Sequence, residues 1–218
     1  MGLISFILLV KHQAKQSTPI VPIDLMRIPL FSLSIMTSIC SYTAQILAYV
    51  SLPFLFQSIQ HRTPVETGIL MTPWPLLVVA ASPIAGKLTA KHPAALLGSI
   101  GLAVLATGLG CLAFMPAAPS TLDVAWRMAL CGVGFGFFQT PNNVTLMTAG
   151  PATRSGAAGG LLALARISGW CLGSALVVVV FALVRSSPTS ACLQLACSFG
   201  AFGTVVSVSR FMARPARA

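Results

Sequence analysis

Acidic residues are almost missing from this chain: among 218 residues there are three, Asp24, Glu66 and Asp123, against 13 Lys and Arg. Charged residues of both signs make up 7% of the chain, where a soluble domain carries roughly 25%. That shortage excludes a water-soluble enzyme and a disordered tail. It also excludes an ordinary nucleic-acid-binding domain, despite the net charge of +10. The apolar–polar alternation of a membrane β-barrel is absent too, because the apolar runs are continuous. The three histidines (His12, His61, His92) do not cluster. The six cysteines (Cys40, Cys111, Cys131, Cys171, Cys192, Cys197) form no CxxC pair and all lie in apolar segments. They read as small packing residues, so neither a disulfide framework nor a metal site is expected. No GxSxG, HExxH or GxxxxGK[ST] motif occurs. No enzyme activity and no cofactor are expected.

What the chain does have is 56% hydrophobic residues and a mean hydropathy of +0.90. A spanning helix needs about 20 predominantly apolar residues, and six such stretches can be marked: 31–57, 68–90, 94–115, 122–149, 156–184 and 190–212. Breakers separate them: His61-Arg62-Thr63-Pro64, His92-Pro93, Pro116 to Pro119, Gly150-Pro151 and Ser186-Ser187-Pro188. Only helices and closed barrels satisfy the backbone in lipid, so the expected fold is an all-α membrane bundle of six helices. Orientation follows from the cations. With the N-terminal connector inside, Lys11, Lys15, Arg27, Lys87, Lys91, Arg154, Arg210, Arg214 and Arg217 are cytoplasmic. Arg62 and Arg185 fall outside, and Arg127 and Arg166 within spans. Both ends of the bundle are then cytoplasmic, in a cell (inner or plasma) membrane. Residues 1–10 are apolar but too short to span, and read as the end of a truncated transmembrane helix. Residues 11–30 form a polar, proline-marked cytoplasmic connector, and 213–218 a basic tail.

Several stretches carry a resemblance. They are Pro22-Ile23-Asp24-Leu25-Met26-Arg27 before the first span, Thr67-Gly68-Ile69-Leu70-Met71-Thr72-Pro73 opening the second, and Pro83-Ile84-Ala85-Gly86-Lys87-Leu88 closing it. Further on come Gly132-Val133-Gly134-Phe135-Gly136 with Pro141-Asn142-Asn143, and Arg154-Ser155-Gly156-Ala157-Ala158-Gly159-Gly160 with Arg166, Gly169 and Gly173. In this order and spacing they resemble the C-terminal half of major facilitator superfamily transporters, in particular the fourteen-span drug–proton antiporters. The resemblance implies the second of two six-helix bundles flanking a central cavity, related by an axis along the membrane normal. It implies an N-terminal half that carries the antiporter signature and the membrane-embedded acids. The inverted three-plus-three repeat expected inside each bundle is not legible in the sequence.

Polar residues within spans face protein or a water-filled path. Ser38, Tyr42, Gln45 and Tyr49 recur at spacings of four, three and four, on one face of the first span. Aromatic faces bearing amides suit flat organic molecules, cations among them; joining neighbouring helices is the alternative. Gln139, Asn142 and Asn143 occupy one turn of the fourth span beside Pro141, as cavity lining or as interhelical hydrogen bonds. Gly132, Gly134 and Gly136 read as close-packing positions. Asp123 and Arg127 are one turn apart, an interfacial pair. Arg166 lies deeper, in contact with substrate or with a second bundle. Gly86, Lys87 and Lys91 resemble the family's cytoplasmic loop motif without its acidic residue, so a latch or a plain basic loop are both open.

No carboxylate or imidazole falls in the middle of a span, so this chain holds no usual proton carrier. The function expected is transmembrane transport: efflux of drugs or other small organic molecules, proton-coupled through carboxylates of an N-terminal half. The expected partners are the lipid bilayer, a small organic substrate and that half, with no nucleic acid. The alternative is a non-transporting remnant or scaffold bundle.

Overall fold

The computed structural model describes residues 23–116 and 118–210. The apolar segment 1–10, the connector up to residue 22 and the tail 213–218 lie outside the described residues, with Lys11, Lys15, Arg214 and Arg217. Six long helices carry the chain back and forth: α1 (Pro29–Phe54, continued by a π-helical turn, Leu55–Ile59), α2 (Pro64–Thr89), α3 (Ala94–Ala113), α4 (Thr121–Thr148), α5 (Ser155–Leu183) and α6 (Pro188–Ser209). Each is long and apolar enough to cross a bilayer. One turn of helix, Ile23–Met26, precedes α1, and no strand occurs among the described residues. The chain is an all-α, multi-pass membrane protein.

Local chemistry sets where the helices begin. Pro29, Pro64 and Pro188 stand in first turns, where the missing N–H costs nothing. At α2 the Thr63 hydroxyl accepts from the Glu66 N–H at 3.2 Å while the Thr63 N–H donates to the Glu66 carboxylate at 2.8 Å. This capping box starts the helix at Pro64, a turn before the apolar run at Gly68, so Pro64 opens a helix where the sequence reads as a breaker. Ser120 caps α4 by accepting the Asp123 N–H at 3.1 Å. Internal prolines leave marks. Just past Pro53 the ladder widens, and the Gln60 N–H donates to the Leu55 carbonyl at 3.0 Å. Thr72, before Pro73, divides α2 into Pro64–Met71 and Pro73–Thr89.

The packing has a hidden symmetry. Helix α1 packs chiefly on α5 and α6, α4 packs chiefly on α2 and α3, and α3 packs on α6. Exchanging α1, α2, α3 with α4, α5, α6 maps this pattern onto itself. Because each triplet has an odd number of crossings, the second enters the membrane from the opposite side. The bundle is therefore an inverted three-plus-three repeat. The peripheral pair, α2 and α5, also correspond: 22% of each apolar window is buried, against 56% in α1 and α3.

Glycines make the tight seams. A Cβ on Gly101 of α3 would lie 2.8 Å from the Gly134 carbonyl oxygen of α4, and one on Gly134 the same distance from that of Gly101. Backbone meets backbone there, which only glycine permits. Gly132 and Gly136 of α4 lie against Trp74, Val78 and Ala81 of α2. Gly169 and Gly173 of α5 lie against Tyr42, Thr43 and Ile46 of α1. Cys131 fits against Gly108 and Cys197 against Gly110, while Cys171 is exposed.

Candidate functional site: an aromatic, amide and guanidinium face

The α1–α5 seam fixes what stands beside it. Tyr42 is buried on α1, its ring edge-on to Phe135 of α4 (centroids 5.7 Å apart) and to Trp170 of α5 (6.2 Å). The Arg166 guanidinium of α5 lies over the same ring, 5.4 Å from its centroid. Two turns along α1, Tyr49 is tilted against Trp74 of α2 at 5.0 Å. Gln45 is three residues after Tyr42 and four before Tyr49, so it shares their side of the helix. Gln139 is four residues after Phe135, on the side of α4 that meets Tyr42. Both glutamines are half-buried, and among the described residues their amides make no side-chain hydrogen bond. The result is a wall whose rings are buried at Tyr42, Trp74 and Phe135 and open at Trp170 and in part at Tyr49, carrying two uncommitted amides and one cation. Face-on contact with a ring leaves the in-plane N–H groups of a guanidinium available to a ligand.

Arg166 stands about 17 Å along α5 from Ser155, in the inner part of a helix long enough to cross a hydrocarbon layer about 30 Å thick. Its Nε is buried without a partner among the described residues, as is Asn143 Oδ1 on α4. The two carboxylates with described side chains are held elsewhere. Asp123 accepts from Arg127 at 3.0 Å and from the Trp126 indole at 2.9 Å, and Glu66 is spent on its capping box. Arg127 also donates to the Cys111 carbonyl and lies 4.9 Å from the Trp126 ring centroid. The pair anchors the α3–α4 turn.

A second polar cluster sits at the end of the bundle that carries Lys87, Lys91 and Arg154, here called the basic end. Arg210, just past α6, is 2% exposed and reaches inward. It donates to Asn142 Oδ1 of α4 at 2.8 Å, to Ser34 of α1 at 3.2 Å and to Ser207 of α6. Asn142, itself 1% exposed, donates to Ser38 at 2.8 Å and accepts from Thr37 at 3.3 Å. Ser99 of α3 reaches Ser207 at 2.9 Å. Four helices are joined around one cation, and Gly98 leaves room for its guanidinium. So Asn142 and Ser38, which the sequence left open between cavity lining and interhelical hydrogen bonding, are engaged in helix joining. Arg210, counted there among the basic residues of the inner surface, is a core residue.

Gly86 faces Thr140 of α4, 3.7 Å from where its Cβ would be, while Lys87 and Lys91 are exposed. Sequence reasoning missed Trp74, Phe135 and Trp170. The last two were detectable, at four residues from Gln139 and Arg166 respectively. Trp74 was not, because its partner Tyr49 is on another helix. A hollow of about 480 Å³ beside Gln60, His61, Arg62 and Glu66 lies at the opposite end, away from the wall.

An inverted-repeat bundle of six apolar helices with polar groups between them is the architecture of many membrane transporters. Residues 2–174 match the Major Facilitator Superfamily, and the chain belongs to that family of transporters. It is 44% identical over 212 residues to the uncharacterized transporter YebQ of Escherichia coli, covering 97% of this chain and 46% of that protein. It is 32% identical over 171 residues to the multidrug resistance protein Stp of Mycobacterium tuberculosis, covering 78% of this chain and 32% of that protein. It is 27% identical over 181 residues to the riboflavin transporter RibZ of Clostridioides difficile, covering 83% of this chain and 40% of that protein. The chain thus spans less than half the length of each of these relatives.

Proposed function

We propose that this chain forms one bundle of an efflux transporter for small, ring-bearing organic molecules. The bundle sits in the cell membrane with its basic end in the cytoplasm. The observation that carries the reading is the wall itself. Gln45 and Gln139 place open amides on α1 and α4, the two helices exchanged by the inverted repeat, on a ring cluster whose half-buried Tyr49 and exposed Trp170 a flat substrate can stack on. A structural role would spend those amides on neighbours, as Asn142 is spent. Relatives named for multidrug resistance and for riboflavin transport support a substrate of this kind. Coupling to protons requires carboxylates from a second bundle, because Glu66 and Asp123 lie at helix ends.

The test joins this chain to the first bundle of the E. coli relative and expresses the chimera in cells stripped of their own efflux pumps. The chimera should lower dye accumulation, an uncoupler should restore it, and Gln45→Ala with Gln139→Ala should weaken efflux severalfold. Unchanged dye accumulation, with chimera present at the membrane, would sink the transport reading. Efflux indifferent to the uncoupler would sink the coupling.

A further inference from the structure

We infer that the wall takes an anionic, ring-bearing molecule and disfavours cations, with the acidic group of the ligand seated on Arg166. This rests on the transport reading above and adds the sign of the substrate's charge. Aromatic faces by themselves would suit a flat cation. Here the position over the Tyr42 ring is already filled by the Arg166 guanidinium. The guanidinium gives the wall a positive charge. Nothing among the described side chains neutralises it: Asp123 pairs with Arg127, and Glu66 serves its helix cap. Salt does not screen a charge inside a membrane as it does one on a surface.

The donor chemistry agrees. A planar guanidinium matches a carboxylate, sulfonate or phosphate in a two-pronged hydrogen bond, and the described side chains give Arg166 no acidic partner. Trp170, one turn further along α5 and 40% exposed, offers a ring beside that position. Gln45 and Gln139 can donate or accept, so they add orientation without a charge preference. A cation approaching this wall would meet like charge in a low-dielectric setting, with no acid among the described side chains to offset it.

The probes are two dyes sharing one ring system: fluorescein, an anion at neutral pH, and a rhodamine methyl ester, a cation. Their binding to the purified chain in lipid nanodiscs is read by fluorescence anisotropy, with empty nanodiscs as the blank. Fluorescein should bind at least about tenfold more tightly than the rhodamine ester. Arg166→Gln should abolish the difference, and Arg166→Lys should keep its direction. Equal affinities, or an Arg166→Gln protein that still prefers fluorescein, overturns the inference. In that case the transport reading survives provided Gln45→Ala weakens both dyes. If neither dye binds and Gln45→Ala changes nothing, both fall. The preference must also persist in the chimera with the first bundle of the E. coli relative. Its loss there would show that a carboxylate of that bundle holds Arg166, which likewise overturns the inference.

Discussion

Replacing Asn142 by leucine tests whether the polar cluster at the basic end joins the helices. The side chains are of similar size, so the cavity term is small. What is lost is the 2.8 Å bond from Arg210, the 2.8 Å bond to Ser38 and the longer 3.3 Å bond from Thr37. A hydrogen bond to a charged group contributes about 1.5–3 kcal/mol. A neutral interhelical bond in a membrane protein averages about 0.6 kcal/mol. The expected cost of Asn142→Leu is therefore about 2–4 kcal/mol, mostly because Arg210 keeps its charge and loses its best acceptor. Arg210→Met, by contrast, removes the buried charge as well as the bond. The double substitution should then be milder than the sum of the singles by about 1.5 kcal/mol or more, since two apolar side chains replace a buried polar pair. Unfolding by detergent titration would be followed through maleimide labelling of Cys40, Cys131 and Cys192, which are buried in the native bundle. A cost for Asn142→Leu below about 0.5 kcal/mol, or strictly additive singles, would refute the assignment of Arg210 and Asn142 as the joint of four helices.

At the α3–α4 seam, Gly101→Val should cost about 3 kcal/mol or more in the same titration, because its Cβ meets Gly134 backbone that cannot shift aside. Asp123→Asn should cost only about 1 kcal/mol, since the pair with Arg127 is partly exposed at the end of the bundle. Without denaturant, Cys171 should take up a membrane-permeant maleimide within minutes while Cys40, Cys131 and Cys192 stay protected, a pattern read by mass spectrometry. Gln45→Ala and Gln139→Ala should leave stability within about 0.5 kcal/mol of the parent, because surface-like positions without partners contribute little, while lowering efflux by the chimera.

The order and spacing of motifs carried the resemblance to the major facilitator superfamily, and the sequence alone determined that this is a six-helix, all-α membrane protein. Composition does that work, since a chain with so little charge and such long apolar runs has one way to satisfy its backbone in lipid. Helix periodicity likewise placed Tyr42, Gln45 and Tyr49 on one side of α1, and small residues announced close packing at Gly132, Gly134 and Gly136. The inverted repeat stayed hidden for a physical reason. The α4–α2 seam takes its glycines, Gly132 and Gly136, from α4, whereas the equivalent α1–α5 seam takes its own, Gly169 and Gly173, from α5. One geometry is met by opposite partners, so no residue pattern repeats. Only the tertiary structure decided which polar residues are free and which are spent. Asn142 and Asn143 are neighbours in sequence, yet a helix turns about 100° per residue. That rotation points Asn142 into the bond network of Arg210 and leaves the Asn143 oxygen without a partner among the described residues. In the same way Arg210 and Arg166 look alike as isolated cations in an apolar sequence. Their surroundings, four converging helices for one and an aromatic wall with no acid among the described residues for the other, are assembled from segments that only folding brings together.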